Sequence, residues 1–167
     1  MAKQISKGYI DTPISGVTKL SLNRGLLNFK ADFRVKAENA GKEIVLTNIT
    51  SPIDRPEKIR IAYSDVSNVY NGSGIESGVY APTKRGVSVL AQITNVISVT
   101  DNTDPTYRVD LPVSYHLVIK VPVSEAITGQ VIEEGIGRLL SGLYDTGDNK
   151  VTRLDAILRG SLVPTDM

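Results

Sequence analysis

Nine polar and basic residues fall in one phase of three alternating stretches: Lys58, Arg60 and Ser64, then Ser88, Gln92 and Thr94, then Ser114, His116 and Lys120. Side chains at even spacing along an extended strand leave it on one face. Ammonium and guanidinium groups there can neutralise phosphates, while hydroxyl, amide and imidazole groups can bond sugars and base edges. If the three stretches share a sheet, they make a broad surface suited to phosphates and unstacked bases. The same residue types also suit the plain solvated face of an antiparallel sheet, and the nine residues alone do not separate the two.

No catalytic set competes with them. The chain has no cysteine, which excludes disulfides, thiolate nucleophiles and cysteine-ligated zinc or iron, and its one histidine, His116, excludes a paired-histidine metal site. His116 has no acidic residue in phase to orient it as a general base. The glycines of GSGIESG stand at 72, 74 and 78, out of register with a dinucleotide-binding turn, and follow a strand without opening a helix, so a loop is expected. DTGDNK at 145–150 lacks the twelve-residue calcium-loop pattern and reads as a turn. Glu133 and Glu134 diverge by about 100° on a helix and belong to a solvated face. Neither an enzyme, a metal nor a cofactor is expected.

The elements that would carry the nine residues follow from periodicity. Lys58–Ser64 alternates, with Ile59, Ile61 and Tyr63 opposite the polar phase, and Gly86–Ile97 does the same through Val87, Val89, Ala91 and Ile93. Tyr107–Val121 continues the pattern, with an interruption expected at Pro112, and Leu117, Ile119 and Val121 form its apolar phase, joined by Tyr115. Earlier, Val17–Leu22 and Leu27–Val35 read as strands, and Glu38–Gly41 turns the chain into Glu43–Thr50. Residues 65–83 form a long loop. Past Pro122 the period becomes helical. Ser124 is the expected N-cap, Ile127, Val131, Ile132, Ile136, Leu139, Leu140 and Leu143 make one stripe, and Val151, Leu154, Ile157 and Leu158 make a second that Gly160 stops. Strands first and helices last predict an α+β fold: an N-terminal β-hairpin and antiparallel meander sheet followed by two C-terminal helices.

At 167 residues, 41% hydrophobic and 22% charged, the chain fits one domain, 1–167, β-rich to about 121 and helical from 122. No apolar run approaches the roughly 20 residues that span a bilayer, and MAKQISKGYI lacks the apolar core of a secretory leader. A cytoplasmic setting without a membrane partner is expected. Charge is uneven: residues 1–60 hold 11 Lys/Arg and 6 Asp/Glu (11 − 6 = +5), and residues 61–167 hold 8 and 12 (8 − 12 = −4). That asymmetry permits an electropositive face or attraction between copies.

The stretches KRGVSVLAQITNVISV and VDLPVSYHLVIKVPVS, with TDNTDPTY between them, resemble the long strand, axis loop and last strand of the coat proteins of single-stranded RNA bacteriophages, the levivirus type. The Leu-Pro-Val entry, the apolar-Pro exit and the two helical stripes after it are similar too, and residues 17–64 keep the family's order of elements. The resemblance implies a structural capsid protein. Its sheets would join edge to edge in an interlocked homodimer, with Ile132, Ile136, Leu139 and Leu140 in an intersubunit core, and dimers would build an icosahedral shell. The nine-residue face would look inward onto single-stranded genomic RNA, with translational repression as a further role, in a virion assembled in the bacterial host cytoplasm. One departure stands out: the family's base-stacking tyrosine belongs on the inner face, whereas counting back from Pro122 puts Tyr115 on the other. The second reading is a β-rich RNA-binding or oligomeric adaptor module that builds no shell.

Overall fold

The computed structural model describes residues 4–21, 24–80, 83–148 and 150–167. Leu22, Ala81, Pro82 and Asn149, parts of the strand, loop and turn expected above, lie outside them. The chain divides into two compact units, Leu26–Val123 and a second made of Met1–Gly25 with Ser124–Met167. The first 25 residues, read above with the β-rich part, therefore cluster with the helical segment.

The first unit is a five-stranded antiparallel sheet in the order β1-β2-β3-β4-β5: β1 Phe33–Asn39, β2 Glu43–Asn48, β3 Lys58–Val66, β4 Gly86–Thr100 and β5 Arg108–Pro122. Alternating sequence makes these strands, and each neighbour in the chain is a neighbour in the sheet. A helical turn, α1 Phe29–Asp32, precedes β1, so the expected Leu27–Val35 strand starts late. Asn28 causes this by accepting a hydrogen bond from the Ala31 N–H at 3.1 Å, an N-cap that commits the next residues to helix. The Phe29 and Phe33 rings meet in a tilted pair, centroids 5.6 Å apart, and Phe33 and Ile59 are the most buried apolar side chains of the sheet, at 6% and 5% exposed. A bulge between Val35 and Ala37 shifts the phase of β1.

Two expectations fail in this unit. Pro112 does not interrupt β5, which pairs with β4 without a break from Arg108 to Pro122. As the edge strand, β5 tolerates a missing N–H on its open side. The GSGIESG loop ends in a short helix, α2 Ser77–Tyr80, which takes its last two residues, Ser77 and Gly78. Gly86 is required where it stands, because a Cβ there would lie 2.7 Å from both the Val121 carbonyl oxygen and Val69 Cβ.

The second unit holds α3 Gly129–Ser141 and α4 Leu154–Leu158. The N-cap of α3 is Thr128, whose Oγ1 accepts from the Val131 N–H at 3.4 Å, and not Ser124. Ser124 instead caps a separate turn, accepting from Ala126 and Ile127 through its hydroxyl and carbonyl. The stripe beginning at Ile127 hid this, since the first apolar residue precedes the helix. Arg153 ties the helices together by donating to the carbonyls of Gly142 and Leu162.

The N-terminal segment forms no strand over Val17–Ser21; Gly16, at φ +75, turns the chain there, and the Val17 N–H bonds the Ile14 carbonyl at 3.1 Å. Ion pairs Lys7–Glu134 and Asp11–Arg138 fasten the segment to α3, and Arg138 lies 3.9 Å from the Tyr9 ring centroid. Glu134 therefore has a partner and is not simply solvated. Gly147, at φ +77, lets Ile14 and Val17 approach the turn after α3.

Candidate nucleic-acid interface

Register decides which side chains share a face, since directly paired residues of an antiparallel sheet point the same way. The structure gathers all nine sequence-selected residues into three cross-strand rows on one face of the sheet. Lys58, Thr94 and Ser114 form one row, Arg60, Gln92 and His116 the next, and Ser64, Ser88 and Lys120 the third. Ser64, Ser114, His116 and Lys120 are exposed and the other five half-buried.

Chemistry from two further strands lies beside them that the sequence reading missed. Row by row, β2 adds Thr47 next to Lys58, Val45 next to Arg60 and Glu43 next to Ala62, and β1 adds Arg34 beside Thr47. The alternation of EIVLTN offered the signal for Glu43 and Thr47. Between the second and third rows runs an apolar line of Ala62, Leu90 and Val118, with Val118 54% exposed. A row of this kind can take the face of a base, flanked by hydrogen-bonding rows.

Charge is distributed unevenly over this face. Arg60 Nη2 donates to Glu43 Oε2 at 2.6 Å, and that hydrogen bond holds the Glu43 carboxyl below its ordinary range and the Arg60 guanidinium above its own. Arg60 is therefore neutralised locally, which its phase alone did not reveal. Lys58 and Lys120 make no ion pair with the described residues. Ser114 Oγ and His116 Nε2 share a hydrogen bond of 2.6 Å. The nine residues thus offer one unpaired lysine in each outer row, Lys58 and Lys120, with hydrogen-bonding groups between.

The opposite face is apolar. Leu46, Ile59, Ile93 and Tyr115 make one row, Ile44, Ile61, Ala91 and Leu117 the next, and Tyr63, Val89 and Ile119 another. Tyr115 stands here, paired with Ile93, on the side that the count from Pro122 assigned to it. Ile61, Tyr63 and Tyr115 remain 41%, 44% and 56% exposed. In the helical unit, Ile132, Ile136 and Leu140 are half-buried and Leu139 is 63% exposed.

No protein-family model matches the chain, and no curated protein matches it. Solved structures do. The virus-like particle of bacteriophage AVE015 matches with a TM-score of 0.84 and 25% identity over 99% of this chain and 100% of that one. The fold is that of a phage coat protein. The virus-like particle of bacteriophage GQ-112 shares this coat-protein fold at a TM-score of 0.76 and 14% identity, covering 96% of this chain and 97% of that one. That of bacteriophage PQ-465 shares it at 0.52 and 13%, covering 83% and 93%. The resemblance read from the two long strands holds across the coat-protein architecture, and a likeness end to end with a particle-forming chain supports a capsid protein.

Proposed function

We propose that this chain is the structural capsid protein of a single-stranded RNA bacteriophage, pairing as a homodimer, closing into an icosahedral shell and binding genomic RNA on the nine-residue face of its sheet. The observation that carries the reading is the end-to-end correspondence with the chain of the AVE015 particle. The open apolar face agrees with it: side chains such as Ile61 and Tyr63, half open to solvent, are the chemistry that a core-like obligate interface covers. Hydrogen-bonding rows between Lys58 and Lys120 suit single-stranded RNA, whose bases are free to stack and bond. Translational repression requires that this face prefer one RNA hairpin, through Gln92 and His116 and not through Tyr115. In this reading the protein acts in the virion after assembly in the bacterial cytoplasm.

Expression of the chain alone in bacteria, followed by size exclusion, electron microscopy and nucleic-acid extraction, tests it. Closed particles containing host RNA are expected. Small soluble species at every concentration and salt would overturn the capsid reading in favour of an adaptor module. For the dimer, Leu140→Asp should abolish the soluble dimer because it places a charge in an apolar stripe; a variant that stays dimeric would remove Leu140 from the interface.

A further inference from the structure

β3 ends the sheet before β4 and β5 do. Lys58, the first residue of β3, pairs with Thr94, while β4 and β5 continue together to Thr100 and Arg108. Residues 95–113 therefore project as a two-stranded hairpin without a third strand, a form that is marginal by itself. The loop between β2 and β3 stands in for that strand through side chains.

Four alternating charges close a ring there. Arg108 grips Asp110 with both Nε and Nη2, at 2.9 and 2.7 Å, and its Nη2 reaches Asp54 Oδ2 at 3.4 Å. Asp54 accepts from Arg55 Nη1 at 2.7 Å, and Arg55 Nε returns to Asp110 Oδ1 at 3.9 Å. Two members belong to the loop and two to the hairpin, so each of the two longer links crosses between them. Ser98, across the ladder from Asp110, donates to it at 2.6 Å. Single exposed ion pairs contribute little, but a closed network with a bidentate member constrains geometry.

A second observation marks where the hairpin leaves the sheet. Asn95, paired with Val113, is the first residue of β4 beyond the last β3 pair, and its side-chain oxygen is buried without a hydrogen-bond donor among the described residues. A buried acceptor left unpaired favours any motion that lets it meet water or a donor.

We infer that the Asp54–Arg55–Arg108–Asp110 ring is an ionic latch that holds the projecting hairpin on the β2–β3 loop, and that opening it lets residues 95–113 swing as one piece about Asn95 and Val113. The latch needs no shell to exist.

Salt is its natural control, because exposed charges are screened. Protons are a poor one. The hydrogen bonds from Arg108 and then Ser98 hold the Asp110 carboxyl at about 2, so its contribution is complete above the ordinary carboxylate range and is lost only as pH falls through about 2. Asp54, facing the ring from the loop, is likewise lowered: burial opposes ionisation, but Arg55 and Arg108 outweigh it.

Amide hydrogen exchange on the purified protein, in whatever assembly it adopts, tests the latch, with residues 86–94 of the same strand as the internal reference. Raising salt from about 0.05 to about 1 M should speed exchange of residues 95–113 by about tenfold and leave 86–94 unchanged. Asp110→Asn and Arg55→Ala should each do the same at low salt, and the double variant should do no more than either single one, because all three break one ring. Lowering the pH from 7 to 4 should leave the ratio of the two segments unchanged. Equal exchange of 95–113 at both salts and in both variants, or acceleration spread equally over 86–94, would overturn the latch. Particle formation is scored separately, so absent particles with a salt-sensitive hairpin would remove the capsid reading and keep this one.

Discussion

The two faces of the sheet are built on one alternation, yet they differ in how much each neighbour matters. On the apolar face any residue of the right size does the same work, so the row through Ile59, Ile93 and Tyr115 could exchange members with little change of character. On the polar face a neighbour can cancel a residue: Glu43 sits close enough to Arg60 to take its charge, while Lys58, one row away, keeps its own. Phase assigns a side chain to a face, and register decides what it can do there.

This contrast can be broken most forcefully on the apolar side. Ile59→Ala, at the most buried position of the sheet, should cost about 2–5 kcal/mol of stability in urea unfolding. A loss below about 0.5 kcal/mol, typical of exposed positions, would mean that the apolar face is not a core. On the polar face effects should appear in RNA affinity instead. Lys120→Ala should weaken binding across RNA sequences and flatten the salt dependence by about 0.7 to 1 in slope, measured by titration at two salt concentrations. Glu43→Gln should do the reverse, freeing Arg60 and steepening the slope by a similar amount. The Glu43 carboxyl is depressed, so its pairing with Arg60 is intact above the ordinary carboxylate range and fails as pH falls below it; acid should mimic Glu43→Gln. Arg60→Ala should then cost less than Lys58→Ala, and the opposite ranking would show that RNA displaces Glu43. Tyr115→Phe should change least. If it cost the most affinity, RNA would lie on the apolar face.

Much of this was legible in the chain. The polar and apolar phases of KIRIAYS, GVSVLAQITNVI and SYHLVIKV place all nine residues and Tyr115 on their observed faces, because a strand has only two sides and the period never slips over those stretches. Where the period does slip, the reading loses ground. The β1 bulge at Val35–Ala37 breaks the phase, so Arg34 was missed. Val17–Ser21 alternates weakly but finds no ladder, since the segment around it is held by ion pairs to residues such as Glu134 and Arg138, far away in sequence. The cap at Thr128 was hidden by Ile127, an apolar residue in phase with the helix but outside it. The Glu43–Arg60 pair needed the register of β2 on β3, which no single stretch contains.

The turn joining β4 to β5 is two small knots tied in sequence. Asp101 accepts from both the N–H and the hydroxyl of Thr103, at 2.7 and 2.6 Å, and Asp104 accepts from both of those groups of Thr106, at 2.9 and 2.6 Å. Asp101 also draws on the backbone N–H of Asp104, so one bond links the two knots across the Thr103–Asp104 peptide. Foreign sequence spliced at that peptide would cut the one link and leave each knot's own bonds and the ladder behind them in place, which makes this turn a cassette site for displaying a peptide epitope.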